Sequence, residues 1–348
     1  MKLAAAFALA FATAGGGAPA PAQIAAKPTP TTSDCSPSGE LHFVCGINAV
    51  EDLAPVPGGR FLVGSAYRPG GPGLHVIDMT ARTGRPVRVS FDRSRDPAFA
   101  GCNPPDLARL QTHGIAVRAG ARGSVTVYAI NHGGRESVEV FRLDPAAATA
   151  RWVGCLILPS PASGNALTPL EGGRLAITRF YDAGDPQGLV KVINGETTGL
   201  VYLWTPGKGF AEMPGSRLSG DNGVAASADG RWLFISEYGR KRIWRLPLGS
   251  KGAPTSAAVP FHPDNLRWAP DGTLLATGQF VTPGKLDDLH DWATVRLDPF
   301  TMRVAPLLRQ SGLRQFDSAT TAVQAGGLLW FGSFRGDRIA YRPLPPRK

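Results

Sequence analysis

Apolar residues along this chain fall in short runs, several with partial alternation, and most runs begin at a glycine-containing turn. Six segments share the pattern: GGRFLVGS, SVTVYAINH, GGRLAITRF, DGRWLFISE, DGTLLATGQ and GGLLWFGSF. Runs this short predict β-strands, and the Gly-Gly and Asp-Gly steps predict tight hairpins, where positive φ is needed. Long helical periodicity is missing. The six cores recur roughly every 40 to 60 residues, the spacing of one propeller blade. The pattern therefore predicts an all-β chain folded as a six-bladed β-propeller, a shape that focuses function at the mouth of its channel.

Blade one is predicted over residues 51–79, and blade two over the strands HGIAVR, SVTVYAINH and SVEVFRLD. Blade three starts at Asn165 and ends in LVYLWTP, with an insertion over 181–199. Blades four and five are predicted over 222–248 and 264–297, and blade six over SATTAVQ, GGLLWFGSF and RIAYRPL. The apolar segment 39–46 can supply the strand that closes the ring. Residues 80–110 form a long, Pro-rich polar connection, and loops of that length are usually functional or lie over a site.

The N-terminus changes the compartment. Lys2, an apolar run over 3–14 and the small-residue step Ala20-Pro21-Ala22 read as an export signal. Residues 1–22 are expected to be that signal, 23–38 a flexible tether and 39–348 the propeller. The apolar run is too short to span a bilayer, and no transmembrane segment is expected elsewhere. The product is expected to be a monomer, periplasmic or secreted. Four cysteines without a CxxC pair suit an oxidising compartment and point to two disulfides. Four cysteines allow three connectivities. Cys35 and Cys45 flank a short turn, Cys102 and Cys155 flank blade two, and we pair them in that way. The net charge of +10 comes largely from arginines scattered singly, with one tight cluster at Arg240-Lys241-Arg242. That suits a solvated surface better than a phosphate groove, so no nucleic-acid partner is expected.

Nucleophile elbows, zinc helices, P-loops and EF-hand loops are all missing. What remains is a set of oxygen donors at matching places: Glu51 and Asp52 before the first core, Asn165 before the third, Asn222 before the fourth, Asp264 and Asn265 before the fifth. Each lies about seven to nine residues ahead of its glycine turn. Equivalent positions in a radial repeat converge on the channel. Two carboxylates (Glu51, Asp264) and three carboxamides suit a hard cation such as Ca²⁺ far better than zinc. Asn and Asp also start turns, which accounts for any one of them but less well for the set. His113 opens HGIAVR and His132 ends the neighbouring strand, so the two rings can share a proton and activate water. His42, His75, His262 and His290 are read as surface or packing residues.

These residues resemble a family. The strings THGIAV, VYAINHGGRESVEVFRLD, DNGVAASADGRWLFISE, PDNLRWAPDG and SATTAVQAGGLLWFGSF are similar to those of calcium-dependent six-bladed propellers of the paraoxonase/arylesterase type. That type belongs to the broader gluconolactonase and strictosidine synthase-like group. The resemblance implies a catalytic Ca²⁺ held by Glu51, Asn165, Asn222, Asp264 and Asn265, with His113 and His132 as a dyad. It implies a second Ca²⁺ on Asp52 and the carbonyl of Ile115, but a further Asp of that site falls on Ala166 here. A site histidine of the family falls at Gln279-Phe280 and is absent. The implied activity is hydrolysis of a small-molecule lactone or aryl ester. A sugar lactonase without dyad chemistry is one alternative. A non-catalytic binding propeller is another, favoured by Ala166 and the missing histidine.

Overall fold

A computed structural model describes residues 34–345, apart from 92–94, 121–123, 250–251, 283 and 287. The expected export signal, and most of the expected tether, lie outside the described residues. β1 (His42–Cys45) precedes blade one, which comprises β2 (Leu53–Pro55), β3 (Phe61–Ser65), β4 (Leu74–Asp78) and β5 (Thr83–Pro86). β6 (Arg88–Phe91) leads into blade two, made of β7 (Thr112–Ala119), β8 (Val125–Asn131), β9 (Ser137–Asp144) and β10 (Thr149–Ile157). There β6 pairs in parallel with β10 at the outer edge.

Blade three comprises β11 (Ala162–Pro169), β12 (Leu175–Asp182), β13 (Leu200–Thr205) and β14 (Gly209–Glu212). A short helix, α1 (Gly188–Ile193), lies between β12 and β13. Blade four comprises β15 (Asp221–Ala226), β16 (Trp232–Glu237), β17 (Arg242–Pro247) and β18 (Thr255–Ala258). Blade five comprises β19 (His262–Trp268), β20 (Leu274–Gln279), β21 (Trp292–Leu297) and β22 (Val304–Gln310). Blade six holds β23 (Ala319–Ala325), β24 (Leu328–Ser333) and β25 (Arg338–Pro343), and β1 completes it by pairing antiparallel with β25. The molecule is thus the expected six-bladed β-propeller, and segment 39–46 carries the closing strand.

The first strands of the blades, β2, β7, β11, β15, β19 and β23, pack side by side around the axis. Every blade is buried on both faces. In β16, Leu233 and Ile235 pack towards blade three while Phe234 packs towards blade five. The same alternation builds an apolar cluster between each pair of neighbouring blades. This two-sided burial is why the strands read as nearly continuous apolar runs rather than clean alternation.

The connection over 80–110 contains β5 and β6, which sequence patterning leaves as loop. Both are edge strands with mostly exposed side chains, so they carry no apolar signal. Cys35 is joined to Cys45 and Cys102 to Cys155, as paired from the sequence. The first bridge ties the N-terminal segment to the closing strand, and the second ties the connection to β10.

Two glycines let neighbouring inner strands approach closely. A Cβ at Gly223 would stand 2.4 Å from the Asp264 carbonyl oxygen and 2.7 Å from the Asn265 Cα. Gly114 meets Asn165 and Ala166 in the same way. Gly223→Ala is expected to cost on the order of 1–3 kcal/mol, because backbone must move to admit the methyl; thermal unfolding measures it.

His75 is buried on β4, and burial holds its imidazole down at about 4. The unfolded chain protonates this ring near pH 6.5, while the folded chain does so only near 4. Between those values the unfolded state binds a proton the folded state lacks, so stability falls as pH drops from about 6.5 to 4. The expected loss is about 3 kcal/mol. Unfolding curves across that window should flatten in His75→Asn if this ring is responsible.

Candidate functional site

The candidate residues sit where the inner strands lose regular pairing. The register breaks between Thr112 and Ile115 in β7, Gly164 and Leu167 in β11, Asp221 and Val224 in β15, and Pro263 and Leu266 in β19. His113, Asn165, Asn222, Asp264 and Asn265 lie inside those breaks. An irregularity of this kind re-aims a side chain that strand alternation would otherwise send between blades. Glu51 lies just ahead of β2, with its carbonyl accepting a hydrogen bond from the Thr320 hydroxyl of blade six. Thr178 ties blade three to blade four by donating to the Asn222 carbonyl (2.7 Å).

The result is one axial cavity of ≈ 90 Å³, with Glu51, His113, His132, Asn165, Asn222 and Asp264 on its polar side. Asn265 is outside that lining but bonds to it, donating from Nδ2 to Glu51 Oε1 (2.7 Å). The same cavity is also lined by aromatic side chains, Tyr67, Phe180, Tyr181, Tyr238 and Phe334. Six of the seven residues singled out for a catalytic ion and a dyad therefore line one cavity, and the seventh touches Glu51.

The histidines form a relay. His113 Nδ1 and His132 Nε2 are 2.9 Å apart, and His132 Nδ1 lies 2.9 Å from both oxygens of Glu136. A carboxylate only accepts, so His132 carries its proton on Nδ1 and accepts at Nε2 from His113 Nδ1–H. That leaves the lone pair on His113 Nε2, which stands 3.6 Å from Glu51 Oε1. Burial first, and the neighbouring His132 second, hold His113 down at about 3, so its ring stays neutral. Tyr67 covers the pair, its ring 4.7 Å from that of His113.

Glu136 is absent from the sequence-derived candidates. Buried Asn131 organises the turn that returns it: Oδ1 accepts from Gln111 N and Gly133 N, while Nδ2 donates to the Gly133 and Arg135 carbonyls and to Ser137 Oγ. Glu136 also accepts from Gly164 N of blade three (3.1 Å). The available signal was an acid four residues past His132 across a Gly-Gly turn. Gln279, at the position where the family histidine is absent, is buried and used. It donates to Asp264 Oδ2 (3.1 Å) and accepts from the Tyr238 hydroxyl (3.0 Å). Of the remaining histidines, His75 and His262 are buried, and His262 Nδ1 bonds the Tyr238 carbonyl (2.8 Å).

The donor set fits a hard cation. Among the described residues, Glu51 Oε2 and the Oδ1 atoms of Asn165, Asn222 and Asn265 are buried with no hydrogen-bond partner. Buried oxygens left unpaired at one place are costly unless an ion or water meets them. Burial, then the charge of Asp52, pushes the Glu51 carboxyl well above the usual carboxylate range; burial, then Glu51, does the same to Asp264. A cation bound between them would offset both effects by stabilising the ionised carboxylates. Among the described residues no three His, Cys, Asp or Glu side chains cluster for a metal, so the fit rests on the carboxamides.

No protein-family model matches the sequence, and no curated protein matches it either. Solved structures do match in shape. A gluconolactonase from Xanthomonas campestris superposes with a TM-score of 0.54 at 20% identity, covering 88% of this chain and 89% of that one. A calcium-binding regucalcin from Agrobacterium tumefaciens gives 0.54 at 12% identity, covering 86% and 91%. A putative gluconolactonase gives 0.52 at 16% identity, covering 89% and 94%. At these identities the likeness is one of fold: the chain shares the six-bladed propeller of the gluconolactonase and regucalcin structures.

If the unpaired oxygens hold a cation, Ca²⁺ at a hundredfold excess over its Kd adds about 2.7 kcal/mol of stability. Calcium is then expected to raise the melting temperature, and Asn222→Ala to remove most of that rise. A melting temperature unmoved by calcium or chelator would sink the assignment.

Proposed function

We propose that this chain is an exported, calcium-dependent hydrolase of lactones or aryl esters. The observation that carries this reading is the Glu136–His132–His113 relay, whose free lone pair on His113 Nε2 stands 3.6 Å from Glu51, one of the four site residues with unpaired buried oxygens. Glu51, Asn165, Asn222, Asp264 and Asn265 would hold the ion. Bound there, Ca²⁺ supplies polarisation of the substrate carbonyl and a counter-charge for its oxygen.

His113 Nε2 takes a proton from the attacking water as the water oxygen bonds to the carbonyl carbon. The positive charge that develops on His113 is shared through Nδ1–H with His132, whose own Nδ1–H is held by Glu136. Collapse of the tetrahedral species breaks the C–O bond to the alkoxy or aryloxy group. The proton held on His113 then passes to that leaving oxygen. Tyr67 and the aromatic wall keep water out of the dyad's back face and present an apolar surface to the acyl or aryl part. The two disulfides support an oxidising compartment. Among the described residues no helix is long and apolar enough to cross a membrane.

A second reading, a sugar lactonase, draws on the likeness of fold to gluconolactonases. It has no need of the relay, so the two separate by experiment. Phenyl acetate, a simple γ- or δ-lactone and a sugar lactone are assayed with calcium and with chelator. Chelator-sensitive turnover of the first two is expected. His113→Ala is expected to lose about 10²- to 10⁴-fold in kcat with the fold retained. Glu136→Gln is expected to lose about 10- to 100-fold in kcat with KM little changed. Full turnover by His113→Ala on sugar lactone alone would favour the second reading. Calcium-dependent stabilisation without turnover on any substrate would favour a binding propeller.

A further inference from the structure

The second cation implied by the family resemblance does not fit this chain. Its two donors, the Asp52 carboxylate and the Ile115 carbonyl, both meet the guanidinium of Arg267. Arg267 Nη2 donates to Asp52 Oδ2 and to the Ile115 carbonyl oxygen (2.9 Å). Its Nε donates to the Leu53 carbonyl (2.7 Å). Asp52 is fully buried and completes its bonding with Ile115 N and Leu53 N, each at 2.9 Å. The third donor, a second carboxylate, is missing, because Ala166 stands at that position and packs in the apolar cluster between blades three and four.

We propose that Arg267 is a resident cation that takes the place of the second metal ion, so that the chain carries one exchangeable calcium instead of two. The geometry suits the role. Arg267 lies two residues beyond Asn265 on β19, and Asp52 lies one beyond Glu51. The strand therefore sends Asn265 to Glu51 and Arg267 to Asp52, one above the other. A planar guanidinium with several fixed donors can serve a carboxylate and two carbonyls at once, as a metal ion does. It ties the inner strands of blades one, two and five beneath the cavity. Unlike an ion, it is not lost to chelator or to low calcium. The assignment does not depend on the hydrolase reading.

The test is a calcium count on the intact wild-type chain by equilibrium dialysis, paired with melting temperatures of two variants. One ion per chain is expected, and two would overturn the proposal. In chelator, Arg267→Ala is expected to melt about 10 °C below wild type, since it strands a buried carboxylate. Arg267→Lys keeps the charge but loses the fork and should lose less. Calcium should then raise the melting temperature of Arg267→Ala by more than it raises that of wild type, because the Asp52 and Ile115 oxygens become free to take an ion. An equal rise in both would mean that Arg267 does not stand in a cation's place. Should Arg267→Ala fail to fold, the wild-type count and the lysine variant still decide. A wild-type count of zero would likewise overturn it, since no exchangeable ion would then remain for Arg267 to complement.

Discussion

The candidate donor oxygens hang from inner strands or the turns beside them, and those strands hold their positions only because the ring is closed. Closure depends on β1, which comes from the start of the described chain and pairs with β25 at its end. The Cys35–Cys45 bridge secures that strand from one side. Arg267 acts at the centre as β1 does at the rim, since it joins strands of three blades through one side chain. With rim and centre both tied, the six inner strands form a rigid collar, and groups far apart in sequence share a cavity of ≈ 90 Å³.

Inside that collar the chain accepts an electrostatic cost. Unpaired oxygens, two carboxyls pushed above their usual range and a neutral buried imidazole crowd a small volume. Neighbouring regions show that the fold can satisfy such groups when nothing else is required of them. Glu139, equally buried, accepts from Arg135, Ser137 and Trp152. Asp52 has Arg267. Glu51 and the three asparagines of the site keep four oxygens unpaired at one place, and that cluster marks where a ligand belongs. Gln279 and Glu136 orient the neighbours they bond, Asp264 and His132, without lying among the unpaired oxygens.

The fold was legible because a propeller repeats its signal six times. Each two-sided buried strand contributes an apolar run, and each hairpin a glycine turn. Edge strands such as β5 and β6 were not legible, because exposed side chains leave no pattern. The candidate donors could be picked out because the same offset from the glycine turn recurs in several blades. Glu136 could not, because no repeat position predicts it; it arrives through a turn built by Asn131. Arg267 reads in sequence as one more scattered arginine, and only its neighbours distinguish it.

The sequence alone thus determined the all-β class and the blade count, and it singled out the set of candidate donors. These depend on local periodicity and on repetition, which a linear string displays directly. Only the tertiary structure decided which oxygens are left without partners, which way the histidine relay points, and that the Arg267 guanidinium meets Asp52 and the Ile115 carbonyl. Those outcomes depend on distances between blades, such as the approach of β19 to Asp52 across more than half the chain. No local pattern encodes such a distance, because it is fixed by how six sheets pack against one another around one axis.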